Sequence, residues 1–247
     1  MGEKTGIEWA DFTLNTAWGC TKVSKGCEKC YMFRLSLAFG RKADQPTPRP
    51  LINIQRDLKK IKSPQIGFLN SMTDTFHELF SFELIDQWLA LLKDSPHTFI
   101  LLTKRVARMK KYFETREVPK NFWLGTSIED RGSLHRLPTL KKIKCDTLFV
   151  SFEPLLENLY HVDLTGLQWV IVGGESDSKP REFKEEWGLN LLAQCRRDNL
   201  PFFFKQTGGN SRCKCHNAWG CSLLNGKQYY EMPKKLTTKE SSIIGIN

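Results

Sequence analysis

Residues 80–127 read FSFELIDQWLALLKDSPHTFILLTKRVARMKKYFETREVPKNFWLGTS, and this stretch decides the fold class. Phe82, Ile85, Leu89 and Leu92 recur at three- and four-residue steps, the apolar stripe of a helix over 80–93. A β-rich run, TFILLT at 98–103, follows, then a helical segment over 104–114 and a second β-rich run, FWLGTS at 122–127. Strand, helix and strand at this spacing form a βα unit and imply parallel pairing. The alternation continues outward in both directions. Short apolar or β-rich runs stand at 12–18 (FTLNTAW), 66–70 (IGFLN), 147–152 (TLFVSF), 168–173 (QWVIVG) and 202–205 (FFFK). Helical spacing marks 30–39, 51–62, 131–143 and 184–198. About seven strands in 247 residues predict an α/β fold, a partial (β/α) TIM-like barrel of six or seven parallel strands over residues 1–206. No glycine fingerprint of the dinucleotide-binding type follows the first strand. The Pro-containing stretch 44–50 reads as a loop, 207–236 as a small Cys/His-containing extension, and 237–247 as a frayed tail.

Composition narrows the function classes. With 40% hydrophobic and 11% aromatic residues the chain can bury a core, which excludes intrinsic disorder. No run of 18 apolar residues exists, and the N-terminus lacks an apolar signal region, so a cytoplasmic protein without a membrane partner is expected. Eight cysteines then need an explanation other than disulfides. The net charge of +10 is uneven. Residues 20–62 hold 11 basic side chains and three acids, and residues 101–120 hold seven and two, leaving the remainder slightly acidic. Such concentration is the footprint of a phosphate-rich partner, or else of a solvated helix face.

In parallel barrels the reactive groups stand where strands run into helices. Those positions are polar throughout: Cys20 after the first strand; Asn70, Ser71, Asp74 and His77 after the second; Thr103, Lys104 and Arg105 after the third. Ser127, Glu129 and Asp130 follow the fourth, Ser151 and Glu153 end the fifth, Gly173 to Ser176 end the sixth, and Lys205 and Gln206 the seventh. Some of these will cap helices. Glutamates in all three of SIED, SFEP and GGES favour a site.

Cys20, Cys27 and Cys30 are spaced C-x6-C-x2-C on the loop after the first strand. A structural zinc takes four ligands, and no fourth Cys or His lies nearby. Three thiolates leave one iron of a cubane cluster open to a substrate or cofactor. Gly19 and Gly26 permit close approach, and Lys22, Lys25 and Lys29 offset the thiolate charge. Unpaired thiols, zinc with a distant ligand and a redox C-x-x-C pair are the competing readings. A second group, Cys213, Cys215, His216 and Cys221, is a candidate for zinc or a second iron–sulfur cluster. Cys145 and Cys195 lie in apolar contexts and read as buried small hydrophobes.

The blocks TGIEWADFTLNTAWGCTKVSKGCEKCY, FLNSMTDTFHE, ILLTKR, LGTSIED, FVSFEPLL, VIVGGES, PFFFKQTGG and GKQYYEMP resemble, in order and spacing, the phage-associated Gp37/Gp68 family (DUF5131, the three-Cys-motif proteins). That family looks like a divergent branch of the radical S-adenosylmethionine superfamily. The resemblance implies a partial barrel whose three-cysteine loop carries a [4Fe–4S] cluster, with S-adenosylmethionine on the open iron and an external electron donor. It further implies Asn70, Ser71 and Lys104 at the methionine end, and Ser127 or Glu129 at the ribose. Glu153, Glu175 and Lys205 would face the substrate or the sulfonium. Two departures stand out: the superfamily spacing is C-x3-C-x2-C, and Lys29 fills its aromatic position, with Tyr31, one residue after the third cysteine, taking over the packing against adenine. The glycine-glycine-glutamate at 173–175 follows the sixth strand and is not the superfamily motif of similar composition. Together with the basic stretches, a loose similarity of the LLTKR block to radical lyases that repair thymine photoproducts implies a nucleic acid or nucleotide substrate. The alternatives are a metal-stabilised nucleic-acid-binding protein without catalysis, and a cluster that senses or supports a partner protein.

Overall fold

The structure, a computed structural model, describes residues 5–177, 179–209 and 220–234. Its first apolar run divides in two, because the chain turns between β1 (Phe12–Leu14) and β2 (Ala17–Trp18). The helix α1 (Tyr31–Ala38) leads to β3 (Thr47–Pro48), which pairs antiparallel with β2. The expected loop at 44–50 thus contains a two-residue strand; Pro48 is tolerated because so short a ladder asks little of its missing N–H. After α2 (Leu51–Leu58) comes a regular alternation: β4 (Ile66–Leu69), α3 (Phe82–Leu92), β5 (Thr98–Thr103), α4 (Val106–Phe113), β6 (Phe122–Ser127), α5 (Arg136–Leu140), β7 (Leu148–Phe152), β8 (Trp169–Gly173), α6 (Glu185–Arg197) and β9 (Phe202–Gln206). The helix expected over 131–143 is shorter. A 3₁₀ turn, Arg131–Ser133, capped by Asp130, replaces its start, as Gly132 and Pro138 both weaken a continuous helix.

Seven strands form one parallel sheet in the order β1-β4-β5-β6-β7-β8-β9. The sheet curls into a half-barrel flanked by helices, the expected fold class. Strand side chains alternate between its faces. One set, including Phe99, Leu101, Leu124, Val150 and Val170, packs with Ile85, Trp88 and Leu92 of α3 and Leu191 of α6 in the main core. The other set fills the concave face. There Trp9, Phe68, Ile100, Trp123, Phe149, Trp169 and Phe203 form an aromatic plug without helical members. Gly125 makes room for it, since a Cβ there would collide with the Phe149 ring. Further along three of these strands the same face turns polar: Phe68 leads to Asn70, Phe149 to Ser151 and Glu153, Phe203 to Lys205. A dry floor therefore lies beneath a polar rim.

The described part of the C-terminal extension packs along the edge of β9. Phe204 N–H donates to Tyr229 O (2.7 Å), and the Phe203 and Tyr230 rings stack at 4.6 Å. Glu231 accepts from Phe202 N–H (2.9 Å) through its carboxylate and from Trp169 Nε1 (2.8 Å) through its carbonyl. Leu224 is fully buried in the main core. No helix among the described residues is long and apolar enough to cross a membrane.

Candidate functional site

The cysteine loop is tied down at both ends. Gly19 adopts φ +92°, where side chains are strained, and a Cβ there would lie 3.0 Å from two backbone carbonyl oxygens. Gly19 N–H donates to Met72 O (3.1 Å), Thr73 Oγ1 donates to Gly19 O (2.5 Å), and Cys20 N–H donates to Ala43 O (2.8 Å). Cys27 ends the 3₁₀ turn Lys25–Cys27, and Cys30 occupies the N-cap of α1. None of the three cysteines is in a disulfide.

Arg105 holds the first cysteine in place. Its Nη1 donates to Cys20 Sγ (3.6 Å) and to Asp74 Oδ2 (3.3 Å), and its Nη2 to Thr21 O (3.2 Å) and Oγ1 (2.7 Å). Its Nε donates to both oxygens of Glu78 at 3.0 and 2.8 Å. Asp74 is itself fixed by Thr103 Oγ1 (2.7 Å) and Lys104 N–H (3.1 Å). Burial and Asp74 push the Cys20 thiol up to about 11 against the pull of Arg105. Burial also raises Cys30, although the Met32 and Phe33 N–H groups act the other way. Neutral, buried thiols are poor nucleophiles. Coordination to a metal centre is what would ionise them.

All three cysteines line one cavity of about 240 Å³. Trp9, Phe68 and Leu102 form its apolar part, and Asn70, Ser71, Lys104, Ser127, Glu153, Glu175 and Lys205 its polar wall. Seven of the eight residues expected to bind cofactor or substrate therefore share the cavity with Cys20, Cys27 and Cys30; Glu129 does not line it. A family model matches this chain over residues 4–233. The chain belongs to the DUF5131 family. That family is described as a protein of unknown function. No curated protein and no solved structure gives a significant match.

Within this DUF5131 chain several expected contacts are already engaged. Asn70, at φ 67°, accepts from Thr16 N–H (2.7 Å) and Oγ1 (3.1 Å) through its side-chain oxygen and donates to Thr75 Oγ1 (2.7 Å). Its side chain fixes the β1–β4 junction. Ser71 shares hydrogen bonds with Asn15 (3.3 Å), and its carbonyl accepts from Tyr31 Oη (2.6 Å). Burial raises the Tyr31 phenol, keeping it a donor. Glu129 is fully buried, paired with Lys104 and with Arg136 Nη1 (2.9 Å), and accepts from Ser24 Oγ (2.9 Å). Burial opposes its charge, but the two cations hold its carboxyl below the ordinary value. It ties Ser24 of the cysteine loop to the segment that follows β6. Glu175 forms a fork with Arg181, whose Nη1 reaches back to Lys25 O (2.9 Å) and Glu28 (3.2 Å). It too braces the cysteine loop.

The groups facing the cavity are fewer. Ser127 Oγ makes no hydrogen bond among the described residues, while its carbonyl accepts from Arg136 (2.8 Å). Glu153 accepts from Ser151 Oγ (3.0 Å) and pairs with Lys205 Nζ at 3.2 Å. Burial disfavours the Lys205 ammonium, but Glu153 and Glu8 outweigh it and hold its pKa above the usual lysine value. Lys104 remains on the wall beside Glu129.

Among the described residues no three His, Cys, Asp or Glu side chains converge as ligands of one metal ion. A cubane takes one thiolate per iron, so its ligands need not meet at a point as those of a single zinc must. Three free thiols around one cavity, on a loop anchored by Arg105, Arg181 and Glu129, fit the larger group. Cys213, Cys215 and His216 lie outside the described residues. Cys221 is clear of this cavity; its N–H donates to Thr207 Oγ1 (3.0 Å) and its Sγ accepts from Leu223 N–H (3.4 Å). Cys195 is fully buried, and Cys145 is partly buried with its thiol on Thr147 O (3.3 Å).

Arg105, Asp74, Arg136 and Arg181 carry no local signal of these roles in the sequence. Arg105 stood beside Lys104 among the strand-end groups, and its burial was the missing signal. Arg136 and Arg181 meet their acids only through the fold. The basic stretch 101–120 changes meaning: besides Lys104 and Arg105, Arg108 donates to His77 O (2.7 Å) and Phe80 O (2.6 Å), Arg116 pairs with Asp86 (2.7 Å), and Lys110 pairs with Glu114. Most of that charge is internal wiring. The stretch 20–62 keeps Arg34, Arg41, Lys42, Arg56, Lys59 and Lys62 exposed.

Proposed function

We propose that this DUF5131 chain is a radical S-adenosylmethionine enzyme of the phage Gp37/Gp68 type, with a [4Fe–4S] cluster on Cys20, Cys27 and Cys30, acting on a nucleic acid or nucleotide. The observation that carries the reading is one cavity that collects the three thiols and the polar ends of six strands over an aromatic floor. When bound and reduced by an external electron donor, the cluster would supply the electron that cleaves S-adenosylmethionine to a 5′-deoxyadenosyl radical. The chain's own part is placement and protection. Arg105 aims Cys20, and Ser24, Glu129 and Arg181 hold the loop bearing Cys27 and Cys30. Ser127, Ser71 and Lys104 offer hydrogen bonds to the polar end of the cofactor. The Glu153–Lys205 pair lies where it can orient a polar substrate group, and the floor of Trp9, Phe68 and Leu102 keeps water from the reactive end.

Anaerobic reconstitution with iron and sulfide tests the reading. It should give a brown protein with visible absorption that is lost in Cys27→Ala. A colourless protein after reconstitution overturns it. A full cluster with no S-adenosylmethionine cleavage would instead assign the cluster to sensing or to a partner protein.

A further inference from the structure

We propose that the groove between the end of α1 and residues 40–44 binds single-stranded nucleic acid and delivers the neighbouring nucleotide to the cavity. The proposal rests on the nucleic-acid part of the reading above and narrows it from nucleic acid or nucleotide to a strand.

The groove, of about 580 Å³, is lined by Phe33, Leu37, Arg41, Lys42 and Asp44 among others. Phe33 also lines the cysteine cavity, so the two spaces share a wall. The chain turns back at Gly40 (φ +64°), with Arg41 N–H on Ser36 O (2.8 Å). That turn sets two cations beside an apolar helix end. Leu37 and Phe39 are 74% and 66% exposed, which is costly on a free surface and useful under a base. Arg41 stacks 4.1 Å from the Trp18 ring centroid, and Lys22 lies 5.1 Å from that of Phe33. Arg34, Arg41 and Lys42 make no ion pair among the described residues, in contrast to the internal pairing of 101–120. Asp44 is the acid on the lining.

Exposed apolar groups interleaved with unpaired cations match a strand whose bases are unstacked and whose phosphates are continuous. A duplex hides its base faces, whereas an unpaired or flipped nucleotide exposes them.

Fluorescence anisotropy with labelled 12-nucleotide single strands of DNA and RNA, and the matched duplexes, across a salt series tests this. A single strand of either kind should bind at least tenfold tighter than its duplex. The Arg41→Gln/Lys42→Ala double variant should weaken binding tenfold or more. It should also flatten the slope of log K against log salt by about 1.4, two phosphates at about 0.7 each. Lys42→Ala alone, on an exposed side chain, should remove about half that slope, and Leu37→Glu should weaken binding as well. Lys120→Ala, away from the groove, should bind as the unaltered chain does. Equal binding by the double variant, preference for duplex, or no strand binding overturns the proposal. The same preparations are scored for cluster absorption. A cluster without strand binding overturns the groove and leaves the radical reading standing; strand binding without a cluster does the reverse.

Discussion

The backbone of Gly26 lies directly against the carboxylate of Glu129: a Cβ at residue 26 would sit 2.7 Å from Oε1 and 2.8 Å from Cδ. That carboxylate also holds Lys104 and Arg136, so neither side of the contact can give way freely. Gly26→Ala should destabilise the chain by about 1–3 kcal/mol, the usual cost of overpacking. Urea unfolding would report it as a lowered midpoint at unchanged slope, and reconstitution should give less cluster absorption per chain.

Removing Glu129 itself is a larger perturbation. Glu129→Ala leaves the buried Arg136 guanidinium without its carboxylate, and breaking such a buried pair costs about 3–5 kcal/mol. Glu129→Gln retains acceptor capacity and should cost less. Equal stabilities of the Glu129→Ala variant and the unaltered protein in chemical denaturation would contradict the assigned role.

The Arg105–Cys20 contact makes a separate prediction. A hydrogen bond and a nearby cation stabilise the more negative, reduced form of a cluster. Arg105→Lys keeps a charge but loses the planar fork that reaches Glu78, Asp74, Thr21 and Cys20 together. Redox titration followed by electron paramagnetic resonance should show a lower reduction potential in this variant. An unchanged potential would mean that Arg105 only braces the loop.

Part of this arrangement is written in local sequence pattern and part is not. The stripe of Ile85, Leu89 and Leu92 and the β-rich run at 98–103 give the barrel, because burial there is local and periodic. The three cysteines and the strand-end polar groups fall into one cavity because a parallel sheet puts the ends of its strands on one side. What local pattern does not carry is which polar groups are already partnered. Asn70 bonds to Thr16, 54 residues away, and Ser24 to Glu129, 105 residues away. The basic run at 101–120 shows the same limit: its acids lie at Asp74, Glu78, Asp86 and Glu129 as well as nearby.

The pH dependence of stability should carry the mark of His97. It is buried, accepts from Gln65 N–H (3.3 Å) through Nδ1, and packs edge-on against Phe12 at 5.5 Å. Burial lowers its pKa below 6.5. The unfolded chain therefore binds the extra proton first, and stability is full above pH 6.5 and falls as the pH drops from there towards the folded-state value. The slope is at most about 1.4 kcal/mol per pH unit for this group. His77, also lowered by burial and by Arg105, acts in the same direction. Urea midpoints between pH 7.5 and 5.5 should decline, and His97→Gln should decline less steeply; parallel declines would contradict the assignment.

The most direct measurement on the central claim is product analysis of S-adenosylmethionine incubated anaerobically with the reconstituted protein and a reductant. A radical S-adenosylmethionine enzyme forms 5′-deoxyadenosine in a reductant-dependent way, and the product should be abolished in Cys20→Ala, Cys27→Ala and Cys30→Ala. Intact S-adenosylmethionine after incubation with protein that carries a full, reducible cluster would contradict it.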